Sequence, residues 1–498
     1  MTMIPASDPI PFGEWLPDLG NFNNTGALVA ENCLTEGDKY KPFPDLVENA
    51  DAIDGDVIGS FAYRDAAGNV TLYAGTATKL YKQNGTSWDD VTRSSGGDYT
   101  TADDGFWDFV SFGDLVICTN YNDDIQVFDV GSDTEFSQLS ATAPRCRRLL
   151  VFANFLIALD VVDGDGANAN RVSWGPINNP QGVWTPAPTT TQADSQDLRG
   201  EDFSITGGVT LSDYALIIQG KTIWRMQYQG GSVIFNIDKL EEGRGTTIYR
   251  SIVSDGRRVF FLDSTGFFMH VNGQSVPIGH RKIDKTILSM IDRSNDHRIN
   301  TSIDAINKVV MIAFPSIGAA GGKCDKILIY NWSDDRFTLI NQCTDLLFTF
   351  LSTGYTLEGI DAVFSSLDDV PYSLDSQFWV GGKTLLGAFS ENSKLSIFNG
   401  EPKTARIGTT EIRPNASGKA TLHNLIPYIE GGTKTARLRT RDTLSATLDN
   451  TAYISPNGIT DEFEFMRDAV YHRAEVQISG NWEIAHGIAI RAEASGNF

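Results

Sequence analysis

The sequence lacks any run of about 18 uncharged apolar residues, the minimum length of a membrane-spanning helix. The opening residues also lack the basic start and continuous apolar stretch of a secretory signal. Apolar residues nevertheless make up 41% of the 498-residue chain, enough to build a large core. These features predict a folded protein with no membrane span, made in the cytoplasm.

Cysteine is scarce and is never arranged in pairs. The five cysteines are odd in number and far apart, and no two form a CxxC motif. This spacing indicates neither a disulfide framework nor a structural zinc site. We therefore expect five reduced thiols that pack as small apolar side chains: Cys33, Cys118, Cys146, Cys324 and Cys343.

Positive charge is also in short supply. The chain has 40 lysines and arginines against 63 aspartates and glutamates, and its net charge is -23. The first 140 residues hold 24 of the acidic residues and only 6 basic ones, a local net charge of -18. Tight DNA binding needs clustered cations that displace counterions from phosphates, so this balance disfavours it. A solvated acidic surface and a surface that repels a polyanion both remain open.

Recognised motifs for catalysis and ligand binding are missing. The sequence has no P-loop, HExxH or GxSxG motif, and its six histidines stand singly. The acidic turn at Asp163 has Trp174 where a calcium-binding EF-hand loop needs glutamate, so a polar turn is expected. The sequence therefore predicts no enzyme activity, no cofactor and no metal site.

Helical periodicity is confined to residues 283–291, and short apolar runs between Gly, Asn and Asp clusters predict strands elsewhere. A strand ending in an aromatic residue or Met, followed by a polar turn, recurs at intervals of 43 to 68 residues. Intervals near 45 residues are typical of propeller blades, and a series of β-sandwiches is the alternative. The fold class expected is all-β, with a propeller over residues 56–410. The recurring positions are Tyr81, Phe128, Trp174, Met226, Met269, Tyr330 and Phe398.

The two ends of the chain differ from this repeat. Residues 411–498 contain alternating strands and Gly-rich turns, which predict a C-terminal β-sandwich. Residues 1–55 contain Pro11 and Pro17, which prevent a regular element, while Phe12, Trp15 and Phe22 supply apolar anchors. We expect an extended arm that leads into a strand at residues 27–34 and packs on this chain or on a neighbour.

Arg437, Arg439 and Arg441 alternate along one predicted strand, which puts all three on one face. Like charges there repel unless an acidic partner or a phosphate faces them. A protein interface, a solvated face and a nucleic-acid contact are the three interpretations. A second basic cluster spans residues 145–148.

Segments near both ends resemble a family of virion proteins, the tail nozzle or hub proteins of short-tailed phages. The matching segments are PFGEWLPDL at residues 11–19, TGALVAENCL at 25–34, YKPFP at 40–44, YSLDSQFWVGG at 372–382, FNG at 398–400, YHRAEV at 471–476 and AHGIAI at 485–490. The resemblance implies a β-propeller subunit in a hexameric ring below the portal and adaptor. Its partners would be other copies of itself, the adaptor and portal assembly, and tail fibres or a needle.

The same resemblance implies a virion protein assembled in the host cytoplasm, and a ring through which double-stranded DNA passes without tight binding. We expect part of the N-terminal acid, including Asp103, Asp104 and Asp108, to line that channel, because a negative wall repels DNA. A glycan-binding or glycan-cleaving propeller, such as a tail adhesin, is the alternative, and a head-tail neck or completion protein is a third.

Overall fold

The computed structural model describes residues 3–4, 8–21, 24–200, 204–231, 233–351 and 384–497. The segment 372–382 that contributes to the resemblance lies outside these residues. The protein is all-β, as predicted, with 56% strand and 4% helix. The predicted helix is confirmed as α1 (Asp284–Met290), and two 3-10 turns span Arg293–Arg298 and Ala320–Gly322. No helix in the described parts of the chain is both long and apolar enough to cross a membrane.

Six strands precede the repeating part of the fold: β1 (Met3–Ile4), β2 (Ile10–Pro11), β3 (Ala27–Glu31), β4 (Cys33–Glu36), β5 (Lys39–Pro42) and β6 (Pro44–Ala52). Five four-stranded antiparallel sheets follow, in each of which consecutive strands pair. Sheet 1 contains β7 (Gly59–Arg64), β8 (Val70–Gly75), β9 (Leu80–Asn84) and β10 (Ser87–Asp90). Sheet 2 contains β11 (Asp108–Phe112), β12 (Leu115–Thr119), β13 (Gln126–Asp129) and β14 (Ser137–Gln138).

Sheet 3 contains β15 (Arg145–Phe152), β16 (Phe155–Asp163), β17 (Gly166–Trp174) and β18 (Asp194–Asp197). Sheet 4 contains β19 (Ile205–Thr210), β20 (Ala215–Gln219), β21 (Thr222–Tyr228) and β22 (Phe235–Glu242). Sheet 5 contains β23 (Val253–Ser254), β24 (Val259–Asp263), β25 (Gly266–Val271) and β26 (Gln274–Pro277).

Two further sets of four strands share one long strand. They use β27 (Asn300–Asp304), β28 (Val309–Phe314), β29 (Cys324–Asn331), β30 (Arg336–Leu351), β31 (Thr384–Ser390) and β32 (Lys394–Pro402). The first part of β30 pairs with β29 and completes sheet 6, and its last part pairs with β31 and begins sheet 7. The fourth strand of sheet 7 is β6, which pairs antiparallel with β32.

Successive sheets pack face to face. A hydrophobic cluster lies between each sheet and the next, and another lies between sheet 7 and sheet 1. Tyr73 and Phe128, for example, join sheets 1 and 2 with ring centroids 5.5 Å apart, and Trp88 meets Phe389 of sheet 7 at 5.8 Å. The first strands also lie side by side: β7 beside β11, β11 beside β15, β15 beside β19, β23 beside β27, β27 beside β30, and β30 beside β7.

The sequence repeat corresponds to one structural position. Its members Tyr81, Phe128, Trp174, Met226, Met269, Tyr330 and Phe398 fall in the third strands of sheets 1 to 7, in that order. Each belongs to a cluster between sheets, or packs against one. The repeat was therefore a packing signal, because an aromatic residue or Met at this position covers the face of a neighbouring sheet.

The last part of the chain contains β33 (Ala405–Thr409), β34 (Gly418–Arg441), β35 (Asp449–Asn450), β36 (Phe463–Ala469) and β37 (Tyr471–Asn497). The long strands β34 and β37 pair with each other and shift register near Gly431, whose positive φ permits the bend. N-terminal strands complete this region: β33 pairs with β3, and β37 pairs with β1, β2 and β5. Residues 411–498 therefore share their hydrogen bonding with the first 42 residues.

The N-terminal arm is anchored on its own chain. Phe12 and Trp15 are 1% and 4% exposed and belong to the core that also contains strands β33 to β37. The Trp15 Nε1 donates a hydrogen bond to the carbonyl of Leu28 at 3.2 Å. Asp18 accepts hydrogen bonds from the first-turn amides of α1, so the arm supplies the cap that the helix lacks locally. Phe22, another predicted anchor, lies outside the described residues.

Asp284 at the start of α1 is buried and gives the core a pH-dependent element. Its Oδ1 accepts a hydrogen bond from the Phe267 amide at 3.1 Å, and its carboxyl group lies against Gly266 and Gly279, where a Cβ atom would clash. Burial, with a smaller contribution from the Asp18 carboxylate, raises the pKa of Asp284 from 3.8 to about 6. The folded protein therefore favours the protonated group more than the unfolded chain does.

We expect Asp284→Asn to stabilise the protein at pH 7.5. The protonated carboxyl contributes its full stability below about pH 4, and this contribution is lost as pH rises through about 6, since the folded-state pKa is the higher one. A neutral amide avoids that loss, which corresponds to about 3 kcal/mol for a shift of this size. Urea unfolding at pH 4 and pH 7.5 should show a gain for the variant only at pH 7.5.

Asp292 is the matched control, because hydrogen bonds from Ser294 and Asn295 lower its pKa instead. Asp292→Asn should give no gain at pH 7.5. A pH-independent effect of Asp284→Asn would contradict the assignment.

Candidate functional site

A cavity of about 220 Å³ lies where the first strands of six sheets converge. Its walls include Asp108 from β11, Arg148 from β15, Thr301 from β27 and Leu347 from β30, and Arg250 enters from the segment before β23. Side chains on neighbouring first strands face the same space because strand residues alternate in direction. The arrangement brings two arginines and one aspartate together within a lining of both polar and apolar side chains.

Asp108 is tied to its neighbours within this cavity. Its Oδ1 lies 2.9 Å from Arg148 Nη1, and its Oδ2 accepts a hydrogen bond from the Leu149 amide at 2.7 Å. Burial raises the pKa of Asp108, although the Arg148 charge opposes that shift. Asp108 therefore joins sheets 2 and 3 through a buried ion pair.

The other two predicted channel residues, Asp103 and Asp104, are exposed. Asp103 lines a smaller cavity that also contains Asp56, Arg298 and Arg250. Arg250 therefore borders both cavities, with Asp108 on one side and Asp103 on the other. Asp104 lines neither of these two cavities.

The three alternating arginines face carboxylates of their own chain. Arg437 donates to both oxygens of Glu475 at 2.8 and 3.0 Å, and Arg439 lies 3.7 Å from the same carboxylate. Arg441 lies 2.5 Å from Glu411. The acidic partner that the sequence pattern required is thus intramolecular. The proposed use of these arginines as a protein interface stays a prediction.

Glu475 is the centre of this group. It is 2% exposed, and besides Arg437 and Arg439 it lies 3.7 Å from Arg406 and accepts a hydrogen bond from the Tyr453 hydroxyl. Burial, with a hydrogen bond to Glu475, raises the pKa of Tyr453. Three guanidinium groups therefore share one buried carboxylate.

The acidic turn at Asp163 connects β16 to β17 as a hairpin. Arg171 neutralises it, with Nη1 2.8 Å from Asp163 and 3.1 Å from Asp165, and it also contacts Asp197. Among the described residues, no group of three or more His, Cys, Asp or Glu side chains is arranged to hold a metal ion. All five cysteines are unpaired, and only Cys343 is exposed.

Sequence reasoning found some of the cavity residues and missed others. Arg148 belongs to the basic cluster at residues 145–148, and Asp108 was selected for its acidity, but nothing in the sequence paired them. Arg250 carried no signal, because it stands outside any strand and outside both basic clusters. Only the convergence of distant strands reveals this group.

No protein-family model matches the chain, and no curated protein matches it. The solved structures with detectable similarity include a computationally designed protein, with 8% identity, 70% of this chain and 98% of that chain covered, and a TM-score of 0.38. A chain of the mitotic checkpoint complex matches with 8% identity over 74% of this chain and 97% of its own, at a TM-score of 0.41.

The extracellular domain of a putative hybrid two-component system from B. thetaiotaomicron matches with 11% identity over 86% of this chain, at a TM-score of 0.41. This chain covers 48% of that protein's length. At these scores the similarity assigns neither a fold family nor a function to the chain.

Proposed function

We propose that the seven sheets are the blades of a β-propeller, and that the protein is a structural subunit of a short phage tail. In this proposal a ring of copies continues the DNA channel below the adaptor and portal and supports fibres or a needle. The subunit acts by assembly and by the charge of its surfaces, with no reaction of its own.

The propeller is supported by three features of the sheets. Each of sheets 1 to 5 is a four-stranded antiparallel meander, as in a blade. Six of the seven pairs of adjacent first strands lie side by side, including β30 of sheet 7 and β7 of sheet 1. The pairing of β6 with β32 joins residues 44–52 to the last blade, so a strand from near the N-terminus would close the ring.

The observation that carries the tail-subunit proposal is the spatial grouping of five of the segments that bear the resemblance, those at residues 11–19, 25–34, 40–44, 471–476 and 485–490. In the sequence they lie at opposite ends, yet β2 pairs with β37 at Ile10 and Ile488, and β3 pairs with β33, which pairs with β37. Phe12, Trp15 and Val476 belong to one hydrophobic cluster. A likeness spread over separate segments is more informative when those segments form one packed unit.

Reversing two exposed charges tests whether the acid at Asp103 and Asp104 repels DNA. We expect Asp103→Lys combined with Asp104→Lys to leave ring formation intact, because both side chains are exposed. Each copy then loses two negative charges and gains two positive ones, and affinity for duplex DNA should rise by about tenfold or more at low salt and fall steeply with added salt. Mass photometry and electron microscopy report the ring of six, and fluorescence anisotropy reports DNA binding.

The matched control reverses two exposed acids of the C-terminal part, Glu401→Lys with Glu483→Lys. If both double variants bind DNA equally, the acid at Asp103 and Asp104 has no special position. A monomer that binds or cleaves glycans would favour the tail-adhesin alternative instead. Immunogold labelling of purified phage particles distinguishes a nozzle from a neck protein by the position of the label.

A further inference from the structure

The central cavity contains hydrogen-bond donors that nothing in the described chain satisfies. Arg250 is half-buried and forms no ion pair or hydrogen bond with any described residue. The Nε of Arg148 and the hydroxyl of Thr301 are fully buried, and the described residues supply no partner for either atom. All three side chains line the same cavity.

The charge of the cavity differs in sign from that of the protein. Arg148 and Arg250 face it against the single carboxylate of Asp108, which is already bound to Arg148 and to the Leu149 amide. Asp103, in the adjoining small cavity, is not within ion-pair distance of Arg250. The cavity therefore holds a surplus cation within a chain of net charge -23.

The Arg250 guanidinium lies 5.7 Å from the centre of the Phe106 ring but has no anion beside it among the described residues. Withdrawing such a group even partly from water is costly, and proteins normally pair it with an acid. Burial and the nearby Arg148 charge both work against the Arg250 cation, whose pKa falls to about 10. The group stays charged at neutral pH all the same. A cost of this kind is offset when an anion occupies the adjacent space.

We propose that the central cavity binds a small molecule through a carboxylate or phosphate group, held by Arg250 and Arg148 with Thr301 as a further donor. Arginine presents planar pairs of N–H donors that match both oxyanions. A volume of about 220 Å³ corresponds to roughly seven water molecules, enough for an oxyanion with a short carbon body. Phe106 and Leu346 offer apolar walls for that body. This inference is independent of the phage-tail proposal.

The test uses inorganic phosphate and succinate as separate probes, measured by isothermal calorimetry and by thermal unfolding of the full chain. We expect one-to-one binding of at least one probe and a higher melting temperature in its presence. Binding of only one probe identifies the group that the cavity takes. Arg250→Met should weaken binding by about ten- to a hundredfold, as expected for loss of a charged hydrogen-bond donor.

The matched control is Arg225→Met. Arg225 lies on β21 outside the cavity lining and is half-exposed and paired with Asp238, so its loss should leave the affinity for the probe unchanged. A second readout separates ligand binding from a structural role: without ligand, Arg250→Met should melt at a higher temperature than the wild type, because an unpaired charge has been removed. If that variant does not fold, Thr301→Val tests the same cavity, with an expected severalfold loss of affinity.

Failure of both probes to bind the wild-type protein at millimolar concentration would overturn the proposal. Equal affinity of the wild type and Arg250→Met would overturn it as well, because the bound ion would then lie elsewhere.

Discussion

Asp108→Lys is expected to prevent stable folding. The substitution removes the carboxylate that pairs with Arg148 and adds a third cation beside Arg148 and Arg250. Breaking a buried ion pair by removing one partner costs about 3–5 kcal/mol, and the added repulsion increases that loss. Domains are typically stable by only about 5–15 kcal/mol, so most of the margin is consumed. Circular dichroism, urea unfolding and the soluble yield report the effect.

Two variants make this result interpretable. Asp108→Asn keeps an acceptor for the Leu149 amide, so its free energy of unfolding should fall by less, about 1.5–3 kcal/mol. Asp103→Lys makes the same charge change at an exposed position and should change stability by less than about 0.5 kcal/mol. Wild-type stability in Asp108→Lys would mean that this residue faces open solvent or a channel, as the sequence alone suggested.

Glu475→Ala is expected to destabilise the C-terminal region by about 3–5 kcal/mol, since three guanidinium groups lose the buried carboxylate that they share. The strands β33, β34 and β37 meet at this point, so the loss should appear in the unfolding of the whole core that they share with the arm. Urea unfolding followed by tryptophan fluorescence measures it.

Glu475→Gln tests the charge separately from the hydrogen bonds. The amide can still form hydrogen bonds with Arg437 and Tyr453, so this variant should lose less stability than the alanine variant. Glu483→Ala, at an exposed position on the same strand, is the neutral control. A change of less than 1 kcal/mol in Glu475→Ala would show that the arginines are adequately solvated without it.

The sequence predicted the elements that depend on local pattern. The helix at residues 283–291 and most strands of sheets 1 to 6 follow from hydrophobic periodicity bounded by turn residues. The repeat of aromatic residues and Met identified one strand in every sheet, because covering a neighbouring sheet requires a large apolar side chain at that place. The hairpin at Asn84 and Gly85 likewise follows from its turn residues.

Pairings between distant segments could not be predicted in this way. Nothing in residues 44–52 indicates that they pair with β32, and nothing in the arm region indicates that its strands pair with β33 and β37. The same limit applies to the site. Asp108 and Arg148 were noticed for different reasons, and Arg250 for none, because a cavity made by six first strands exists only after all of them have assembled.

The pairing of β6 with β32 also bears on how the chain reaches its final state during synthesis. Some 350 residues separate the two strands, and closing a loop of that length costs about 5 kcal/mol of chain entropy. At about 5–20 residues per second, a ribosome takes roughly 20–70 seconds to make the missing partner.

During that time β6 has an open edge that can pair with other chains. Its three carboxylates, Asp45, Glu48 and Asp51, discourage such association, and two of them later bind Lys403 and Lys394 in the finished fold. Three acidic residues of the N-terminal region thus disfavour association of the nascent chain with other chains until Lys394 and Lys403 have been synthesised.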